Sequence, residues 1–234
     1  MEIKGAVALV TGANRGFGKQ VAAALLERGA AKVYAAARRP ESVDLPGVVP
    51  IALDITDPAS VAAAAATAGD VTLLVNNAGV GTGASFLEGS IEDIRLEMET
   101  HYFGTLAVAR AFAPVLARNG GGAILNVLSV LSWVTATPVN AYSAGKAAAL
   151  QLTNGLRLTL ADQGTQVTAL HVGYMDTDMA AHVTDPKSDP AAIAAIALDG
   201  LEKGSFEVVA DDFSRGVRAT LSGDVAGQYP QLVS

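Results

Sequence analysis

Tyr142 and Lys146 lie four residues apart in the stretch NAYSAGKAAAL, Asn140 to Leu150, whose alanine content and spacing predict a helix. Residues at i and i+4 share a helix face, so a phenol and an ammonium are set side by side. A free tyrosine has a pKa of about 10 and is a poor acid or base near neutrality. A neighbouring ammonium favours phenolate over phenol, so Lys146 is expected to lower the Tyr142 pKa and make it usable for proton transfer. Ser129 lies thirteen residues before Tyr142, just past a strand-like run, and adds a hydroxyl. Alone, Tyr-x-x-x-Lys also describes a core tyrosine beside a snorkelling lysine; the weight comes from what else the chain brings near.

The glycine-rich stretch TGANRGFGKQ follows the first strand-like run and spaces Gly12, Gly16 and Gly18 as G-x-x-x-G-x-G. Such glycines allow a tight turn and close approach of backbone to a pyrophosphate at a helix N-terminus. Arg15 sits inside the loop. Ala36 and Ala37 fill the slot where NAD sites usually place an acid for the ribose 2′-hydroxyl, and Arg38 and Arg39 follow. A guanidinium suits a 2′-phosphate in charge and geometry, so NADP(H) is the expected cofactor. After the third run, Asp54 can accept from an adenine amino group or cap the helix that begins at Pro58. Asp57, directly before that proline, is the better cap. The fourth run ends in NNAGVG, Asn76 to Gly81, with little side chain to obstruct a nucleotide.

These motifs need a frame. Strands are expected at about Ala6–Thr11, Lys32–Ala37, Val48–Leu53, Val71–Asn76, Ala123–Leu128, Gln166–His171 and Phe206–Val209. Several are continuous apolar runs, as in parallel strands covered on both faces. Helices are expected at Gly16–Arg28, Pro58–Thr67, Ser90–Arg118 as one long element, Asn140–Asp162 and Pro190–Lys203. The alternation implies an α/β fold: one doubly wound, Rossmann-like domain over residues 1–234, with a central parallel sheet of about seven strands. RRPESVDLPG, between the second and third strands, is too short for a full crossover helix. Half of the residues are hydrophobic, yet no run reaches a membrane span, and the N-terminus reads as a strand rather than a signal peptide. A net charge of −7 argues against nucleic acid or an anionic membrane as partner. With no Cys there is no disulfide framework, thiolate nucleophile or Cys-based zinc site; no metal is expected, and a cytoplasmic location is.

Taken in order, Thr11-Gly12-x-x-x-Gly16-x-Gly18, Asp54, Asn76-Asn77-Ala78-Gly79, Ser129, Tyr142-x-x-x-Lys146 and the Gly173…Thr177 segment resemble the classical short-chain dehydrogenases/reductases over nearly the whole chain. The resemblance implies hydride transfer between a nicotinamide and a carbonyl or alcohol carbon. In that scheme Tyr142 exchanges a proton with the substrate oxygen, Ser129 hydrogen-bonds it, and Lys146 holds the nicotinamide ribose. Ser129, rather than the competing Ser132, has the family spacing. The cofactor would lie among Gly12, Asn14, Arg15, Gly16, Phe17, Gly18, Arg38, Asp54, Ile55, Asn77, Ala78, Gly79, Gly173 and Thr177, with Tyr142 and Lys146. Arginines at the positions of Arg15 and Arg38 go with NADP preference in the family.

Three positions depart from the family pattern. His101 replaces the asparagine that helps hold a proton-relaying water; histidine can hydrogen-bond and titrates between pH 5 and 8. Val172-Gly173 replaces Pro-Gly, which is expected to loosen the turn beside the nicotinamide. Gly145 replaces a serine, a helix penalty of up to about 1 kcal/mol with no chemical consequence visible in the sequence.

Substrate contacts are expected from Val80, Leu131, Val134, Val139, Tyr174, Met175, Met179 and His182, with a short lid around residues 175–189. The set is mostly apolar and offers no Arg or Lys anchor, which points to a neutral, hydrophobic ketone or secondary alcohol: a carbonyl reductase. A non-catalytic NADP(H)-binding sensor on the same fold is the alternative. The two long helices are expected to pair in a homodimer, or else a homotetramer, as the family commonly does.

Overall fold

The computed structural model describes residues 1–232. Seven strands, β1 (Val7–Thr11), β2 (Lys32–Ala37), β3 (Val49–Ala52), β4 (Leu73–Asn76), β5 (Ala123–Val127), β6 (Gln166–His171) and β7 (Glu207–Val209), form one sheet. All neighbours are parallel, in the order β3-β2-β1-β4-β5-β6-β7. Their strand character comes from burial on both faces: every residue of β4 and β5 is buried. Strand order reverses between β1 and β4, which opens a crevice beyond their carboxyl ends.

Helices cover both faces. On one side α1 (Gly16–Glu27) and α6 (Pro190–Glu202) bury Phe17, Val21, Leu25, Ile193 and Leu198 against the sheet. On the other, α2 (Pro58–Thr67) and α4 (Thr105–Arg118) bury Val61, Phe112 and Leu116. Asp57 caps α2 by accepting from the Ala59 N–H at 2.9 Å, with Pro58 opening the helix as expected. Only a short 3₁₀ turn, Pro40–Ser42, joins β2 to β3.

The expected single helix from Ser90 to Arg118 is interrupted. α3 (Ile91–Met98) runs into a π-helical turn, Glu99–Gly104, before α4 begins. A π turn holds one residue more than an α turn and shifts the faces beyond it. Here it carries Thr100 and His101 inward, and a Cβ on Gly104 would lie 2.9 Å from Ile55 Cδ1, so a larger residue there would have to displace that side chain. α5 (Asn140–Thr159) stops short of the expected Asp162. Two further helices, α7 (Asp212–Thr220) and α8 (Val225–Gln228), follow β7 where no element was expected, capped by Asp211 and Asp224. No helix among the described residues is long and apolar enough to cross a membrane.

A buried polar chain ties the middle of the sheet to α5. Asn76 Nδ2 donates to Asn126 Oδ1 at 2.8 Å, and Asn126 Nδ2 donates to Thr153 Oγ1 at 2.9 Å. Asn126→Ala orphans both partners, so a loss of about 2 kcal/mol in unfolding free energy is expected. Urea denaturation measures it, and a change within experimental error would mean the chain is dispensable.

Candidate active site

The loop after β1 is held open by its hydrogen bonds. Thr11 Oγ1 accepts from the Asn77 and Ala78 N–H groups, each at 2.9 Å, and Asn77 Nδ2 donates to the Thr11 carbonyl at 2.8 Å. The ends of β1 and β4 are thereby locked together. Gly12 (φ +66°) and Gly16 (φ +53°) take left-handed conformations that favour glycine. Gly18 is required sterically, since a Cβ there would lie 2.3 Å from the Gly12 carbonyl oxygen.

α1 then starts with no side chain capping it and no acid in its first turn, leaving its N–H groups for an anion. Arg15, Arg38 and Arg39 are exposed around this end of the sheet. Asp54 keeps a depressed pKa: burial opposes this, but hydrogen bonds from Thr56 and the nearby Arg38 charge outweigh it. The donor-rich loop, uncapped helix and arginines fit a phosphorylated dinucleotide.

Not every residue expected around a cofactor offers its side chain. Phe17 is packed in the core between α1 and the sheet, and Ile55 packs on Gly104, so these two present backbone only. Asn14 Nδ2 donates to Ser42 Oγ at 3.1 Å. Thr177 lies beside the loop, 3.6 Å from where a Gly16 Cβ would be, and its neighbour Asp178 pairs with Arg15 at 3.2 Å.

Past β5, Ser129 is buried; its Oγ accepts from the Leu131 N–H at 3.1 Å and is hydrogen-bonded with the Tyr142 hydroxyl. Ser132 plays a different part. Its Oγ donates to the Ser129 carbonyl at 2.6 Å and lies 3.0 Å from His171 Nδ1, so it braces the Ser129 turn from below. Trp133 stacks on His171 at 3.9 Å, and Arg218 of α7 covers the Trp133 ring.

Lys146 is buried; its Nζ donates to the Val127 carbonyl at 2.9 Å and sits 5.6 Å from the centre of the Tyr142 ring. Burial pulls its pKa down to about 8, against an opposing pull from Glu97. The expected lowering of Tyr142 is not found. Burial pushes its pKa up, the Ser129 hydrogen bond opposes this, and the Glu97 charge and Tyr174 raise it further. Lys146 points at a backbone carbonyl, and its ammonium gives no counterweight. Tyr142 therefore stays a phenol at neutral pH.

The turn after β6 is not loosened by the missing proline. The Val172 carbonyl accepts from the Val130 N–H at 3.0 Å, and Gly173 N–H donates to Asp211 Oδ2 at 2.6 Å. Asp211, absent from the sequence reading, thus holds this turn while capping α7.

Of the expected substrate contacts, Met179 lies beside the loop after β4, its Cγ 3.6 Å from where a Gly81 Cβ would be. Tyr174 is exposed yet close enough to Tyr142 to help raise its pKa. Val80, Leu131 and Val139 are partly buried, and His182 is exposed. Two expected contacts face elsewhere. Met175 packs on the core beneath α1 and α6, and Val134 lines a separate cavity of about 320 Å³ with Phe213 and Val217 of α7.

A doubly wound sheet with a glycine loop after β1 and Ser129, Tyr142 and Lys146 gathered beyond β5 is the arrangement of a nucleotide-dependent oxidoreductase. The sequence pattern of the short chain dehydrogenase family matches residues 6–188, and the chain belongs to that family. A short chain dehydrogenase from Burkholderia cenocepacia J2315, solved in complex with NADP, is 43% identical with a TM-score of 0.95, covering 100% of both chains. The NADPH-dependent 1-acyldihydroxyacetone phosphate reductase of Schizosaccharomyces pombe is 35% identical over 72% of this chain and 60% of its own length. The 1-deoxy-11-beta-hydroxypentalenate dehydrogenase of Streptomyces exfoliatus is 33% identical over 80% of this chain and 74% of its own.

Since Lys146 is charged below a pKa of about 8 and neutral above it, NMR of ¹³C-labelled lysine is expected to show one ε-carbon titrating near that value, missing in Lys146→Met. Titration of every lysine near the ordinary value of about 10.4 would contradict the desolvated site.

Proposed function

We propose that the protein is an NADPH-dependent carbonyl reductase acting on neutral, hydrophobic ketones, and on secondary alcohols in reverse. The convergence of Ser129, Tyr142 and Lys146 beside the glycine loop carries this reading. NADPH, when bound, supplies the hydride that reaches the carbonyl carbon. Tyr142, a phenol at working pH, gives its proton to the carbonyl oxygen, and the Ser129 hydroxyl hydrogen-bonds that oxygen. Lys146 would hold the nicotinamide ribose. Gly12, Gly16 and the α1 N-terminus would receive the pyrophosphate, and Arg15 and Arg38 the 2′-phosphate. The apolar Val80, Leu131 and Val139 favour a substrate without charge.

A non-catalytic NADP(H) sensor is disfavoured because the serine, tyrosine and lysine are all present and in mutual reach. Exposed Leu96, Phe103 and Leu158, on α3, the π turn and α5, support a homodimer through that face.

The test is loss of nicotinamide absorbance with a panel of aryl, alkyl and cyclic ketones. Tyr142→Phe is expected to lower kcat by roughly 100-fold or more; unchanged turnover would refute the role of Tyr142. Arg38→Ala is expected to raise KM for NADPH about tenfold, the loss of one charge-assisted hydrogen bond, and to leave KM for NADH alone. An equal effect on both cofactors would refute the 2′-phosphate contact. Reduction should decline above about pH 8, where Lys146 loses its charge. A rate flat to pH 10 would exclude any need for the ammonium.

A further inference from the structure

Glu97 is fully buried at 0% exposure, an uncommon place for a carboxylate, and neither the hydride transfer nor the cofactor cradle uses it. One oxygen accepts from the Thr82 N–H at 2.6 Å and the Thr82 hydroxyl at 2.9 Å. The other lies 3.1 Å from His101 Nε2. The same nitrogen is 2.8 Å from the Val80 carbonyl oxygen, which can only accept. Nε2 therefore carries the hydrogen, and in the neutral ring Nδ1 is the acceptor.

His101 Nδ1 makes no hydrogen bond within the described residues and lies on the side of the ring that meets Gly79. A Cβ on Gly79 would approach Cε1 to 2.9 Å and Nδ1 to 3.5 Å. Against α5, a Cβ on Gly145 would come within 3.3 Å of His101 Cβ and Cδ2 and 3.1 Å of the Glu97 carbonyl oxygen. The imidazole thus occupies a slot between two glycines, with its ring edge-on to Tyr142 at 5.0 Å between centroids. Gly145, where the family has serine, makes room for the larger ring.

We propose that Glu97 and His101 form a carboxylate–imidazole pair that returns protons to the Tyr142–Lys146 centre after each turnover, with Glu97 as the positioning residue. The inference rests on the reductase reading of the site. Each reduction breaks the Tyr142 O–H bond and forms the alcohol O–H, leaving a phenolate. His101 Nδ1 takes a proton from solvent, and Glu97 offsets the imidazolium charge. That proton then passes to the phenolate, directly or by way of the Lys146 amine, which restores the phenol and the neutral imidazole. No electrons move in this step.

The charged and titratable groups around His101 are Glu97 on its own helix and Lys146 and Tyr142 on α5. Burial and Lys146 hold the imidazole below its ordinary pKa, while the bonds to Glu97 and the Val80 carbonyl work against them. Burial would raise Glu97, but His101 and Thr82 outweigh it and keep the carboxylate ionised. The resting pair is carboxylate and neutral imidazole, the form that can accept a proton.

Glu97→Gln preserves shape and removes the charge. In ¹⁵N-histidine NMR of the whole protein, with His101→Asn used for assignment, His101 should be the Nε2–H tautomer. Its pKa should fall by about one pH unit in Glu97→Gln, because an opposite charge within reach has been lost. In NADPH-linked ketone reduction, Glu97→Gln should move the pH profile of kcat in the same direction. In the His101→Asn background it should leave the profile where it was, whereas a merely structural Glu97 would act equally in both. An Nδ1–H tautomer, or a His101 pKa unmoved by Glu97→Gln, overturns the pair even if no ketone is turned over. Turnover with an unmoved pH profile overturns the relay and leaves the reductase standing.

Discussion

A lysine amine with its charge buried at the carboxyl end of β5 is the constraint around which the site is built. Lys146 reaches the Val127 carbonyl from α5 and is buried. An isolated charge there is costly, so burial drags its pKa towards neutrality. The Glu97 carboxylate, packed behind His101, opposes that pull. The same Glu97 charge helps keep Tyr142 protonated. Burial is the larger influence on both groups, holding Tyr142 as a phenol and drawing the Lys146 pKa down to about 8, and the Glu97 carboxylate acts on both in the direction of the protonated form.

The precision of this cluster depends on groups that touch no reacting atom. Thr11 and Asn77 join the ends of β1 and β4, and Asn126 links β4, β5 and α5. Ser132 and His171 brace Ser129 from beneath, with Trp133 and Arg218 stacked on top. Asp211 fixes the turn after β6 and starts α7 with the same carboxylate. Through these contacts the last helices of the chain reach the loop that carries Ser129, so the C-terminal segment belongs to the support of the site.

Much of this was legible in the residues. The continuous apolar runs expected as covered strands at Ala6–Thr11 and Ala123–Leu128 form β1 and β5 to within one residue at an end, and the helical period set Tyr142 beside Lys146. What escaped depended on tertiary burial. In IEDIRLEMET, Glu97 is one acid among several and reads as part of a solvated helix face; nothing in the local pattern announces that Thr82 and His101 will enclose its carboxylate. Gly145 looked like a mild helix penalty until His101 filled the space a side chain would need. The Tyr142 pKa followed burial rather than the sequence neighbour, because Lys146 turned to the Val127 carbonyl. Met175 and Val134 were placed correctly on their loops, but their side chains turned to a core and a separate cavity that apolar character alone does not distinguish from a substrate pocket.

The most direct measurement is the fate of hydrogen at the nicotinamide C4 in a single turnover with a hydrophobic ketone. With NADPH deuterated on each C4 face in turn, one label is expected to appear on the carbinol carbon of the alcohol, with a slowed chemical step for that label alone. Deuterium found in neither product, with NADPH remaining bound and unoxidised, would contradict hydride transfer at Ser129, Tyr142 and Lys146.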